Sequence, residues 1–181
     1  MSTLQHLTGT WTLDPAHTRI GFVARHAMVT KVRGTFNEFE GTAVVGENLA
    51  DAKVEVKIVA NSVDTRNEQR DEHLRSGDFF GTDEHSELTF VSTSVTPTGD
   101  DSFDLTGDLT IKGITKSVTI PFEFDGIATD PFGNQRAGFE GDVKVNRQDW
   151  GIEWNAALET GGVLVSEKVT LEFEVSAIKS V

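Results

Sequence analysis

Apolar and polar residues alternate along most of this chain. In Lys53-Val54-Glu55-Val56-Lys57-Ile58-Val59-Ala60, the side chains of Val54, Val56, Ile58 and Ala60 share one face and the charges lie opposite. Phe103 to Lys112 repeats the pattern, as do Val118 to Phe124 and Val169 to Ala177. Weaker versions run through Ile20–Ala24, Val32–Val45, Leu88–Val95 and Phe139–Val145. A period of two predicts antiparallel strands with one wet and one buried face. About eight such runs occur, many longer than the usual strand of roughly 5–6 residues. Turn signals separate them: Gly99-Asp100-Asp101, Asp130-Pro131-Phe132-Gly133-Asn134 and Gly161-Gly162. No Pro-rich or Gly/Ser-rich linker interrupts the chain, so residues 1–181 read as one all-β domain.

One segment departs from this period. Thr65-Arg66-Asn67-Glu68 has capping-box spacing, with Thr65 as N-cap and Glu68 at N3. Asn67 to Arg75 are good helix formers, and Ser76-Gly77 supplies a stop. Leu74 is nearly the only apolar residue there, so the helix is expected across the outside or one end of the sheet. Phe79-Phe80 would anchor it, and Asp71 with Arg75 would form an i,i+4 pair.

Eight long alternating strands must dispose of their edges, and closing the sheet does so completely. The predicted architecture is an antiparallel eight-stranded β-barrel with one short α-helix; a two-sheet sandwich is the alternative. Such a barrel is just wide enough to be filled by side chains or to hold one small ligand. Gly107 and Gly141 fall on the inward face, where they would either leave volume unfilled or mark tight bends in the wall.

Composition narrows the function. Acidic residues outnumber basic ones 29 to 16, a net charge of −13 that disfavours nucleic acid and anionic headgroups as partners. The absence of cysteine removes disulfides, thiolate metal sites and cysteine nucleophiles. No stretch approaches the roughly 18 apolar residues of a membrane-spanning helix, so stable membrane insertion is not expected. Met1 to Thr10 has neither a basic n-region nor an apolar h-region, which makes a cytoplasmic location the expectation. No cofactor is implied. A twofold homodimer is the commonest default assembly, and the sequence leaves oligomeric state open.

Several blocks, taken in order, resemble the YceI-like, polyisoprenoid-binding family. They are Trp11-Thr12-Leu13-Asp14-Pro15-Ala16-His17-Thr18-Arg19-Ile20-Gly21-Phe22, Arg25-His26, Val32-Arg33-Gly34-Thr35-Phe36 and Phe39-Glu40-Gly41. Ser62-Val63-Asp64-Thr65, Arg70 to Ser76 and Asp78-Phe79-Phe80 form the most specific block, followed by Thr89-Phe90, Gly107 to Lys116 and Asn146 to Ile152. Thr18 stands where Ser is usual in the family, and Ser86 where Pro is common. Many relatives are exported, whereas the residues Met1 to Thr10 lead to no expectation of a leader here. The resemblance implies an extended, lipocalin-like barrel whose hydrophobic tunnel holds an isoprenoid or other long-chain lipid. Its candidate wall residues are Phe22, Phe36, Val56, Ile58, Phe79, Phe90, Gly107, Leu109, Ile111, Phe122 and Trp150. His17, Arg70, Asp71 and His73 would contact a polar head at the mouth, with Arg70 the best phosphate donor. Equally, these polar residues would serve to fix the helix to the barrel rim.

Two other classes compete with this carrier. A small-molecule enzyme would use His73 and Asp71 at the barrel mouth, but the sequence has no His-Glu-x-x-His spacing, nucleophile elbow or phosphate loop. A carbohydrate-binding module would display Trp11, Trp150 and Trp154, although framework packing is the ordinary role of such residues.

Overall fold

The computed structural model describes residues 3–159 and 161–180. Eleven strands form one sheet: β1 (Gly9–Leu13), β2 (Arg19–His26), β3 (Thr30–Phe36), β4 (Phe39–Val45), β5 (Lys53–Val59), β6 (Val63–Asp64), β7 (Glu87–Pro97), β8 (Ser102–Ile111), β9 (Ile114–Thr129), β10 (Gln135–Asn146) and β11 (Lys168–Lys179). Every pairing is antiparallel, in the order β1-β4-β5-β7-β8-β9-β10-β11, and β11 returns to β1. The sheet is therefore a closed barrel of eight walls, and among the described residues no two-sheet sandwich forms.

The last strand closes it in two places. Ala177–Lys179 pairs with β1, and Thr170–Glu174 pairs with β2. β1 and β2 thus form one bent wall, and β3 and β4 another. The first bend falls at Pro15, where Asp14 Oδ1 accepts a hydrogen bond from the Ala16 N–H and turns the chain. The second falls at Asn37-Glu38, which splits the Val32–Val45 run into two strands. The β9–β10 ladder ends at Phe122 opposite Gly141; the next position in β9 is Pro121, which has no N–H to donate.

Strand parity sorts the residues. Phe103, Leu105, Gly107, Leu109 and Ile111 are all buried along β8, and Val118, Ile120, Phe122 and Phe124 along β9. Each large apolar side chain removed from water contributes roughly 1.5–3 kcal/mol.

Between β5 and β7 lies α1, Glu68–Arg75. Its N-cap is Asn67, whose side chain accepts from the Arg70 N–H, and not Thr65. Capping-box spacing misplaced the start because Arg66 adopts a left-handed φ of 64°, so the chain turns once more before the helix begins. Among the described residues, no helix is long and apolar enough to cross a membrane.

Candidate functional site

The barrel encloses a cavity with about 190 Å³ of space open to the centre of a water-sized sphere. One water needs roughly 10–15 Å³ on that measure, so the void exceeds a packing defect by an order of magnitude. Its wall is drawn from every barrel strand and from Leu7, Leu49 and Ala52 at the end carrying the two chain termini. Hydrocarbon dominates that wall. Thr42 is its only member with a hydroxyl, and Thr42 is exposed, lying between inward Gly41 and Ala43 on β4. Trp11 contributes an indole whose N–H is already given to the Leu7 carbonyl at 2.8 Å. No wall residue carries a titratable side chain.

Eight of the sequence-derived candidates lie together on this wall: Phe22, Phe36, Val56, Ile58, Phe90, Leu109, Ile111 and Phe122. Trp11, Leu13, Ile20, Leu105, Ile120, Phe139 and Phe173 line it as well, outside the set of candidate residues. Their inward strand parity was available as a signal.

Gly107 also faces inward, opposite a register irregularity between Ser92 and Ser94 of β7, and the space beside it is not left empty. A Cβ there would sit 2.4 Å from the Phe90 ring and 2.7 Å from the Val91 carbonyl oxygen, so a neighbour's ring takes up the space of the missing side chain. Phe122 covers Gly141 in the same way at 2.7 Å, and Phe22 covers Gly34 at 2.3 Å. A bulky residue at Gly107 would have to displace Phe90 before it could plug the cavity.

The remaining candidates lie away from the cavity wall, most of them at the helical end. Phe80, which follows α1, packs against the wall residues Phe22 and Phe36 at ring distances of 6.5 and 5.5 Å. Trp150 is buried there and donates its indole N–H to the Leu109 carbonyl at 2.9 Å. Phe79, His73 and Trp154 form an aromatic cluster, with the His73 ring 5.0 Å from Phe79 and 4.6 Å from Trp154. Buried Trp11 and Trp150 present no flat face to a sugar.

The polar candidates are occupied by the protein itself. Asp71 is buried and accepts from the Thr65 N–H (2.9 Å) and hydroxyl (2.5 Å). Arg70 donates to the Thr65 hydroxyl and carbonyl, both at 2.7 Å. Arg75 donates to the carbonyls of Asn61 and Val63 instead of pairing with Asp71. His73 Nε2 lies 2.9 Å from Asp78. Asp71 and His73 therefore belong to separate hydrogen-bonded groups, as an acid–base pair would not.

His17 lies on the β1–β2 bend, with its Nδ1 2.7 Å from Asp14. Asp14 also accepts from Arg136 at 2.6 Å, and Arg136 donates to Asp130 at 2.8 Å. The Arg136 guanidinium, helped by His17, holds the Asp14 carboxyl down to about 2. Asp130 is likewise lowered to about 2 by Arg136 and the N–H groups of Asn134 and Phe132, which outweigh its desolvation. Arg147 is buried over the helical end and donates to the carbonyls of Ser166 and Ile152; burial pushes its guanidinium below its ordinary value.

The YceI-like domain model matches residues 11–177, nearly the whole chain. The chain belongs to the YceI-like family. It is 44% identical over 170 residues to a UPF0312 protein of Staphylococcus aureus strain MSSA476, covering 92% of this chain and 95% of that one. Among solved structures of similar shape is the Campylobacter jejuni YceI protein, with 29% identity, a TM-score of 0.74 and coverage of 93% and 97%. A polyisoprenoid-binding domain from Saccharophagus degradans, implicated in plant cell wall breakdown, shares the fold at 17% identity. Its TM-score is 0.74, with 94% and 98% of the chains covered. This YceI-like chain thus has the eight-stranded, lipocalin-like barrel that its sequence blocks imply.

Proposed function

We propose that this YceI-like protein binds the tail of an isoprenoid or fatty-acyl lipid inside its barrel, without covalent chemistry, and carries it through water. The observation that carries the reading is the cavity wall, which offers hydrocarbon contact throughout and no inward hydroxyl or titratable group. The polyisoprenoid-binding neighbour of the same fold supports the ligand class.

The energetics fit a carrier better than a sink. Burying one methylene is worth about 0.8 kcal/mol, so a five-carbon unit contributes roughly 3–4 kcal/mol against water. Against a membrane, where the tail is already dry, the net gain is small and release stays accessible. Discrimination between tails is weak, because one methylene changes affinity by only about 1–3 kcal/mol. With Arg70, Asp71 and His73 engaged by the protein, the polar head is left to solvent at the barrel end.

The test is mass spectrometry of organic extracts from gently purified protein, which should yield a co-purifying lipid. Val56→Phe, which adds bulk to the wall, should lower that yield about ten-fold by removing room for two or three carbons. A wild-type protein that yields no lipid and takes up no added hydrocarbon would overturn the proposal.

A further inference from the structure

The acidic excess of this chain is unevenly spread. Between Asp14 and Glu38 there is no acidic residue, yet Arg19, Arg25, Lys31 and Arg33 all fall in that interval. The fold makes this stretch the β2–β3 hairpin. The β11 ladder leaves β2 at Val23, and β6 reaches β3 only at Thr35 and Phe36. Residues 24–32 therefore pair chiefly with each other. The Leu164–Ser166 segment braces one side, through the Ala27 N–H on the Leu164 carbonyl and the Ser166 N–H on the Arg25 carbonyl.

At the apex, Ala27 and Met28 hold left-handed φ values of 50° and 67°, a conformation that a Cβ disfavours. This turn presents Met28 and Val29 outward, 61% and 74% exposed, where a polar turn would leave nothing apolar in water. Arg25 donates to the Val29 carbonyl from beside the turn, and Lys31 follows two residues later. Arg19 and Arg33 lie further down, within reach of Glu172 at 3.2 and 3.9 Å. Glu159 and Glu167 are the acidic residues of the bracing segment and its turn. At the opposite end the exposed Phe132 sits in a turn opened by Asp130, so of these two hairpin turns, which carry the three most exposed large apolar side chains among the described residues, it is the β2–β3 tip that joins them to local positive charge.

We propose that this tip docks peripherally on an anionic phospholipid bilayer. Met28 and Val29 enter the headgroup boundary, and Arg25 and Lys31 face the phosphates. The net charge of −13 does not prevent this, since charges further than about 10 Å from the contact are screened at 0.1 M salt. Docking at the tip requires no lipid in the cavity.

Co-sedimentation with vesicles tests the docking. The protein should sediment with vesicles of equal parts phosphatidylcholine and phosphatidylglycerol, not with phosphatidylcholine alone, and less so as salt rises. Replacing both Met28→Asp and Val29→Asp should weaken association about a hundred-fold, near ten-fold per apolar side chain. Lys31→Glu should weaken it about five-fold or more. Phe132→Asp, at the opposite end, should leave it unchanged. Wild-type protein that ignores the mixed vesicles, or tip and Phe132 variants that behave alike, would overturn the docking. The lipid extracted from the same wild-type preparation reports on the cavity separately.

Discussion

The barrel interior and the helical end are built from similar residues and do opposite things. Both bury Phe and Trp side chains contributed by the most recognisable sequence blocks. Inside the barrel, Phe22, Phe90 and Phe122 each place their ring over a glycine of the neighbouring strand, and the wall encloses free volume. At the helical end, Phe79, Trp150 and Trp154 pack edge to face or donate to carbonyls, interleaved with Arg70, Asp71 and Arg147 that tie the loops together. The difference lies in where polar groups stand. A wall without them offers only apolar contact, and a cap full of them holds one rigid arrangement once each is satisfied.

Three substitutions separate the two regions. The largest effect is expected in the cap. Asp71→Ala strands the buried N–H and hydroxyl of Thr65 and should cost about 3 kcal/mol in denaturant unfolding. Lipid extracted from the folded fraction should not change; a parallel fall would show that cap and cavity act as one. Next is the glycine–aromatic stack of the wall. Gly107→Ala presses a methyl onto the Phe90 ring and the Val91 carbonyl and should cost about 1–3 kcal/mol, of which adding Phe90→Leu should recover the part due to the ring. A purely additive double variant would mean that the ring does not hold that space.

The smallest effect is remote from both regions. Asp14 and Asp130 ionise more readily in the folded chain than at their ordinary 3.8, so they stabilise the fold fully above about pH 4. That contribution should fade as pH drops toward 2. In Arg136→Gln, thermal midpoints should lose less between pH 4 and 2 than in the wild type; identical slopes would remove Arg136 from the account.

Much of the architecture was legible because alternation reports directly on which face of a strand is wet. Each of the eight runs falls on a strand, apart from the break at Asn37-Glu38 and single residues at two ends, and the inward residues of β8 and β9 follow from parity alone. What parity does not give is height along the barrel axis. Phe79 and Trp150 have the same apolar chemistry as Phe22 and Leu109, yet they close an end instead of lining the wall. Nor does a sequence show that the vacancy at Gly107 is taken by a ring from the neighbouring strand, since that contact joins residues seventeen apart. The helix start was misjudged for a local reason, the left-handed Arg66. Strand β1 went unmarked because five residues carry too little alternation to stand out.

The double duty of β11 has a consequence for synthesis. It alone joins β10 to both β1 and β2, so until residues 168–179 leave the ribosome the nascent sheet has two bare margins and a wet interior. The container exists only after its final stave is set, and a ribosome stalled shortly before that point would hold a sticky, half-rolled ribbon.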